Sequence, residues 1–139
     1  MYTFGKQERL CSQKLTDDLF HTGQKFMVFP YSVHWMICPG NTLPDGIPAQ
    51  VLIATSKKKF HHAVDRNRVK RLTRECYRTH KPQLYQFLTS HNTTIILSLN
   101  YIHNQIFDFH TLNHKLDRIT DTLIHHIARQ LVSSQQPTP

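Results

Sequence analysis

The nine acidic side chains of this 139-residue protein are scattered along it. Metal-dependent cleavage of a phosphodiester needs clustered carboxylates that hold two ions, and their spacing shows no such cluster. There is no G-x-S-x-G, no P-loop and no nucleophilic Cys-His pattern. Cys11, Cys38 and Cys76 are odd in number, far apart and without C-x-x-C. They suit a reducing compartment and offer neither a disulfide framework nor a zinc knuckle. Among the eleven histidines, His110 and His114 share a helical face with Asp117 and Asp121. Two histidines and an acid can bind zinc. This stripe, however, lacks the glutamate of the zinc-protease motif and lies opposite a leucine face, where solvated polar residues belong. His61-His62 and His125-His126 read as surface pairs, the first able to add protons to a basic face below neutral pH. No catalytic residue and no metal site are expected on the chain.

The cations are organised differently. The formal net charge is +8 and the pI about 9.7. Between Lys57 and Lys81 lie ten basic residues (Lys57, Lys58, Lys59, Arg66, Arg68, Lys70, Arg71, Arg74, Arg78 and Lys81) against two acids, Asp65 and Glu75. The remainder holds seven of each sign, so the whole excess sits in one segment. That is the footprint of a face that binds a polyanion. On a helix advancing ~100° per residue from Arg66, Lys70, Arg74 and Arg78 fall at ~40°, ~80° and ~120°, with Arg71 near ~140°. Val69, Leu72 and Cys76 gather on the opposite side, and Arg68 lies at the boundary. Like charges at i,i+4 repel by a few tenths of a kcal/mol each, a cost that a phosphate backbone removes with release of counterions. Arginine predominates, which favours forked phosphate contacts and stacking on bases. A solvated basic face explains a scattered few charges better than it explains a segment holding the entire excess.

The surrounding pattern supplies a scaffold. A helix is predicted from about Ser12 to His21, with Gly23 as its stop. Lys25 to Ile37 reads as a strand in which Tyr31, Val33, Trp35 and Ile37 alternate with polar positions, and Pro30 marks a start, an edge or a bulge. Cys38 to Pro48 is a loop. Val51 to Thr55 is a short strand, followed by a helix from about His61 to His80 that Pro82 should stop. Thr93 to Asn100 has the β-branched run of a buried strand. From near Asp108, Leu112, Leu116, Ile119, Leu123 and Ile127 form one apolar helical stripe. The order α-β-β-α-β-α predicts an α+β sandwich with helices packed on a small sheet. A single domain is expected over residues 1–132, with 133–139, rich in Ser, Gln and Pro, as a disordered tail. The N-terminus lacks the apolar run of a signal peptide, and no stretch approaches the ~20 apolar residues of a membrane span. A cytoplasmic protein is the expectation.

Ser56-Lys57-Lys58, followed by Ala63-Val64-x-Arg66-Asn67-Arg68-Val69-Lys70-Arg71-Leu72-x-Arg74-Glu75, closely resembles the "RNR" signature of the bacterial ribonuclease P protein. The match is ungapped over roughly twenty residues, and a weaker resemblance covers Glu8-Arg9-Leu10 and Leu19-Phe20-x-x-Gly23. The resemblance implies a left-handed β-α-β crossover through the RNR helix, against the general rule. It implies that Arg66, Asn67, Arg68, Lys70, Arg71 and Arg74 face a catalytic RNA and a precursor tRNA, with Arg78 continuing the row and Lys57, Lys58 and Lys59 in the preceding loop. It further implies a cleft between the first helix and the sheet for a single-stranded 5′ leader, with Phe20 on the helix side; Tyr31, His34 or Trp35 are candidates for the strand side, with the core as the alternative place for Phe20, Tyr31 and Trp35. Trp35 is assigned to the core because it alternates with Val33 and Ile37. Thr16 stands where the family usually presents a second aromatic. Cleavage and its magnesium are expected to belong mainly to the RNA subunit, with no DNA or membrane partner. The alternatives are a ribosomal or structural RNA-binding protein and a major-groove DNA reader, neither of which explains the ungapped signature.

Overall fold

A computed structural model describes residues 5–135. After a 3-10 turn at Lys6–Glu8 come α1 (Gln13–Thr22), β1 (Gln24–Val28), β2 (Tyr31–Cys38), β3 (Ala49–Thr55), α2 (Ala63–Ser90), β4 (Thr94–Tyr101) and α3 (Phe109–Gln135). The sheet has the order β1-β2-β4-β3. β1-β2 and β2-β4 are antiparallel, whereas β3 and β4 are parallel neighbours joined through α2. This is the α+β architecture expected, with one strand more. The segment expected as a single strand from Lys25 folds back at Phe29-Pro30 into the β1-β2 hairpin, because proline cannot donate to a ladder.

Period-two alternation gives the sheet two faces. Tyr31, Val33 and Trp35 share one with Val51, Leu97, Leu99 and Tyr101, covered by α2 and α3. Leu112, Leu116, Ile119, Leu123 and Ile127, the stripe predicted for the last helix, are each at most 2% exposed in this core. The opposite face carries Ile96, which packs with Leu10, Leu19, Cys38 and Leu43 in a smaller cluster beneath α1. Ser12 caps α1 by accepting from the Leu15 amide at 3.2 Å. A Cβ at Gly23 would stand 2.4 Å from the Leu19 carbonyl and 3.0 Å from that of Trp35. Only glycine lets the chain turn so closely from α1 into β1.

Two helix ends differ from expectation. α2 runs through Pro82 and ends at Ser90. An interior proline costs roughly 3 kcal/mol, but the residues beyond it bury Leu84 and Leu88, 2% and 0% exposed. Each such burial contributes about 1.5–3 kcal/mol, enough to carry the helix past the proline. α3 starts where expected, with the Asp108 carboxylate accepting from the Thr111 amide at 2.9 Å. It continues to Gln135, so the first three residues assigned to a tail are helical, and 136–139 lie outside the described residues.

Candidate nucleic-acid interface

The loop from β3 into α2 is shaped by Ser56, whose hydroxyl accepts from the Lys58 amide at 3.0 Å and whose carbonyl accepts from Lys59 and Phe60. Phe60 is buried against the Tyr101 ring, 6.0 Å between centroids. With the loop pinned at that apolar residue, Lys57, Lys58 and Lys59 stand in solvent. Arg66 donates through Nη1 to the carbonyls of Phe60 (2.8 Å) and His61 (3.1 Å). It therefore ties the first turn of α2 back onto the lysine loop and acts as scaffold as well as cation.

Asn67, Arg68 and Arg71 are exposed, and Lys70 and Arg74 half-buried. Arg74 shares the wall of a small groove with Arg9, between the N-terminal segment and β3. Arg78 lies 2.6 Å from Glu75, a bond that lowers the Glu75 carboxyl below its ordinary value and raises the arginine. Lys81, counted with the basic segment from sequence, leaves the face altogether. It is buried with its Nζ 2.5 Å from Glu8 Oε1. The opposite side of α2 packs Val69, Thr73, Cys76 and Tyr77 against the sheet. Thr73 was not expected there, since a threonine reads as polar. Its hydroxyl is satisfied 2.6 Å from that of Tyr31.

That bond also removes Tyr31 from the cleft. Tyr31 is wholly buried, edge-on to Tyr101 at 5.4 Å, and burial pushes its hydroxyl pKa up. The reason is parity. Tyr31 and His34 are three residues apart on one strand and so face opposite sides of the sheet. The structure does bring Phe20 and His34 together, with ring centroids 4.7 Å apart and edge-on. Phe20 is 44% exposed at the end of α1. His34 meets the Asn100 side-chain amide at 3.3 Å. Burial, then the nearby charge of Lys25, lowers its pKa, so the ring is neutral at neutral pH. The β-ladder places Ser32 and Asn100 beside it with Met27, 57% exposed. Only the hairpin register, invisible until the fold back at Pro30 is known, brings Met27 to this side. Ser98, paired with His34, contributes a buried hydroxyl without a hydrogen-bond partner. Thr16 turns its hydroxyl to the Ser12 carbonyl at 2.8 Å, so no second ring stands there.

No group of three or more His, Cys, Asp or Glu side chains converges as a metal site among the described residues. In the stripe on α3, Asp117 lies 3.9 Å from His80 and Asp121 3.3 Å from Gln83, both on α2. Burial, and then the neighbouring Glu75 charge, pushes the Cys76 thiol up to about 12, and burial raises Cys38. Neither is poised as a nucleophile.

Fold and site together define the class, a small α+β protein whose cationic excess is carried by one helix and the loop before it. The sequence profile of the Ribonuclease P family matches residues 4–123, and the chain belongs to the ribonuclease P protein component family. It is 30% identical over 118 residues to the ribonuclease P protein component of Porphyromonas gingivalis W83, covering 84% of each chain. Among solved structures it resembles the ribonuclease P protein of Staphylococcus aureus, with a TM-score of 0.58 and 20% identity over 84% of this chain and 94% of that one. For the protein from Thermotoga maritima the TM-score is 0.56, at 20% identity over 81% and 94%.

Proposed function

We propose that this protein joins a catalytic RNA to form the endonuclease that removes 5′ leaders from precursor tRNAs. The observation that carries the reading is the placement of the charge. The RNR segment presents Asn67, Arg68 and Arg71 in solvent and Arg66, Lys70 and Arg74 half-buried on α2, beside a lysine loop that Arg66 holds in place. The cations lower phosphate repulsion between RNA subunit and substrate, which strengthens leader binding and reduces the magnesium requirement. An unpaired leader base stacks on the Phe20–His34 pair, a contact worth ~1–3 kcal/mol. Bond cleavage and its magnesium belong mainly to the RNA, and the protein contributes position and charge. No helix among the described residues is long and apolar enough to cross a membrane.

The test is single-turnover cleavage of a precursor tRNA by the matching catalytic RNA at low magnesium, with and without the protein. Stimulation that grows with leader length is expected. Salt-sensitive RNA binding without stimulation would overturn the reading and leave a structural RNA-binding protein.

A further inference from the structure

The turn between β1 and β2 and the loop from β4 into α3 bring three rings together outside the site already described. Phe29, at the turn, lies edge-on to His103 at 5.0 Å and to Phe107 at 6.1 Å between ring centroids. His103 in turn stacks on Phe107 at 5.1 Å, with 27° between the planes. The Tyr101 hydroxyl holds the loop that carries the last two. It donates to the Gln105 carbonyl at 2.8 Å and accepts from the Phe107 amide at 3.1 Å. The Ile102 amide donates to the Pro30 carbonyl at 2.9 Å, which fastens the loop to the turn. A cluster that only closed the end of the core would bury its outer ring. Phe29 instead keeps 48% of its surface in water, and Met27, two residues earlier, keeps 57%. Met27 stands opposite Ser32, between the Lys25–His34 pair and the turn, so exposed apolar groups continue from the Phe20–His34 site towards Phe29. From His34 to Tyr31, where β2 leaves the turn, the strand spans about 10 Å. Neighbouring exposed apolar groups of this kind mark an interaction site. Cations lie at the same end of the sheet. Thr55, Tyr101 and Tyr31 are in register across three strands, and the loop of Lys57, Lys58 and Lys59 follows Thr55 directly. The Tyr101 ring also packs at 6.0 Å against Phe60, which anchors that loop. The acid nearest the rings in sequence, Asp108, is engaged in accepting from the Thr111 amide.

We infer that the Phe29–His103–Phe107 cluster is a second stacking site for unpaired RNA, at which Phe29 takes a base of the 5′ leader beyond the one held at Phe20 and His34. The inference rests on the leader-binding reading and lengthens the path that the leader follows. The chemistry that fits is a single strand, because an aromatic face accepts any base while its phosphates are drawn to the lysines at the same end of the sheet. An apolar protein surface would gain nothing from those lysines. The backing rings are already held by Tyr101 and Pro30, so little ordering remains to oppose binding.

The test uses the full-length protein assembled with the matching catalytic RNA and a series of precursor tRNAs whose leaders are shortened one nucleotide at a time. Apparent affinity is read from single-turnover cleavage against enzyme concentration. Phe29→Ala should weaken binding of a long leader at least about fivefold, with no effect once the leader is trimmed below a threshold length. Phe20→Ala should still cost affinity below that threshold. Phe29→Leu, which keeps an apolar side chain but no ring, should behave as Phe29→Ala with unchanged thermal unfolding, and His103→Ala should act in the same direction. A leader carrying a base-less nucleotide at the threshold position should bind the unaltered protein and Phe29→Ala alike. Loss at every leader length, or at none, would overturn the inference. So would self-association of the free protein that Phe29→Ala abolishes in sedimentation, which would assign the rings to a second copy of the chain. If Phe29→Ala changes nothing while Phe20→Ala still weakens leader binding, the second site alone is removed. If leader length has no effect on the unaltered protein, the leader-binding reading falls with it.

Discussion

Arg66 and Phe20 show how far a single side chain can be understood from its contacts. A row of cations suggests equal partners, but Arg66 spends part of its guanidinium on two loop carbonyls. Arg66→Ala is therefore expected to weaken RNA binding by more than one charge and to loosen the lysine loop. Faster amide hydrogen exchange at residues 57–61, with the rest of the fold still protected, is the result to look for. Unchanged exchange would reduce Arg66 to a plain cation. Phe20 is half in solvent and its ring is free to stack. Phe20→Ala should cost ~1–3 kcal/mol of affinity for a precursor tRNA with a leader and nothing for a mature tRNA. Equal losses on both substrates would place Phe20 outside leader recognition.

At the scale of elements, α2 does two jobs. Its N-terminal half presents the cations, and its C-terminal half, through Lys81 and Tyr85 on either side of Pro82, locks the N-terminal segment in place. Glu8 sits at that lock. It accepts from Lys81 at 2.5 Å, from the Tyr85 hydroxyl at 2.6 Å and, through its other oxygen, from the Gly5 amide at 2.6 Å. Burial alone would raise its carboxyl, but the bonds from Lys81, Tyr85 and Gly5 outweigh burial and hold it below the usual value. Removing one partner of a buried pair strands the other charge. Glu8→Ala should thus lose about 3–5 kcal/mol in urea unfolding. The double change Glu8→Leu, Lys81→Met should recover most of it, because two apolar groups leave no charge unpaired. A double variant as unstable as the single one would show that the pair is needed for more than compensation.

For the whole molecule, charge asymmetry and pH set the behaviour. Glu8 and His34 both have lowered pKa values in the fold, so the unfolded chain binds more protons and stability rises with pH. The His34 contribution is fully present above about pH 6.5 and is lost as pH falls through its lower folded value. The Glu8 contribution is present above its ordinary value of 4.5 and disappears further into acid. Urea midpoints should fall in two stages between pH 7 and pH 3, and Glu8→Gln should flatten the acid stage. A midpoint independent of pH would contradict both assignments. RNA affinity should meanwhile drop steeply with salt, because most of the cationic excess lies on α2 and the loop before it rather than spread over the surface.

Much of this was legible in the sequence because it depends on local periodicity and composition. The location of the charge excess, the apolar stripe of α3, the start of α1 near Ser12 and the α+β class follow from spacing along the chain. The ungapped RNR run carried the family. Other features depend on which residues meet across the fold. The hairpin at Pro30 set the parity that sent Tyr31 into the core and left His34 beside Phe20. Burial of Leu84 and Leu88 outweighed a proline that local propensity reads as a stop. Glu8, 73 residues from Lys81, removed one cation from the presumed face. A side chain's type is local information. Whether it is buried, paired or exposed is a free-energy balance over neighbours that only the tertiary structure assembles.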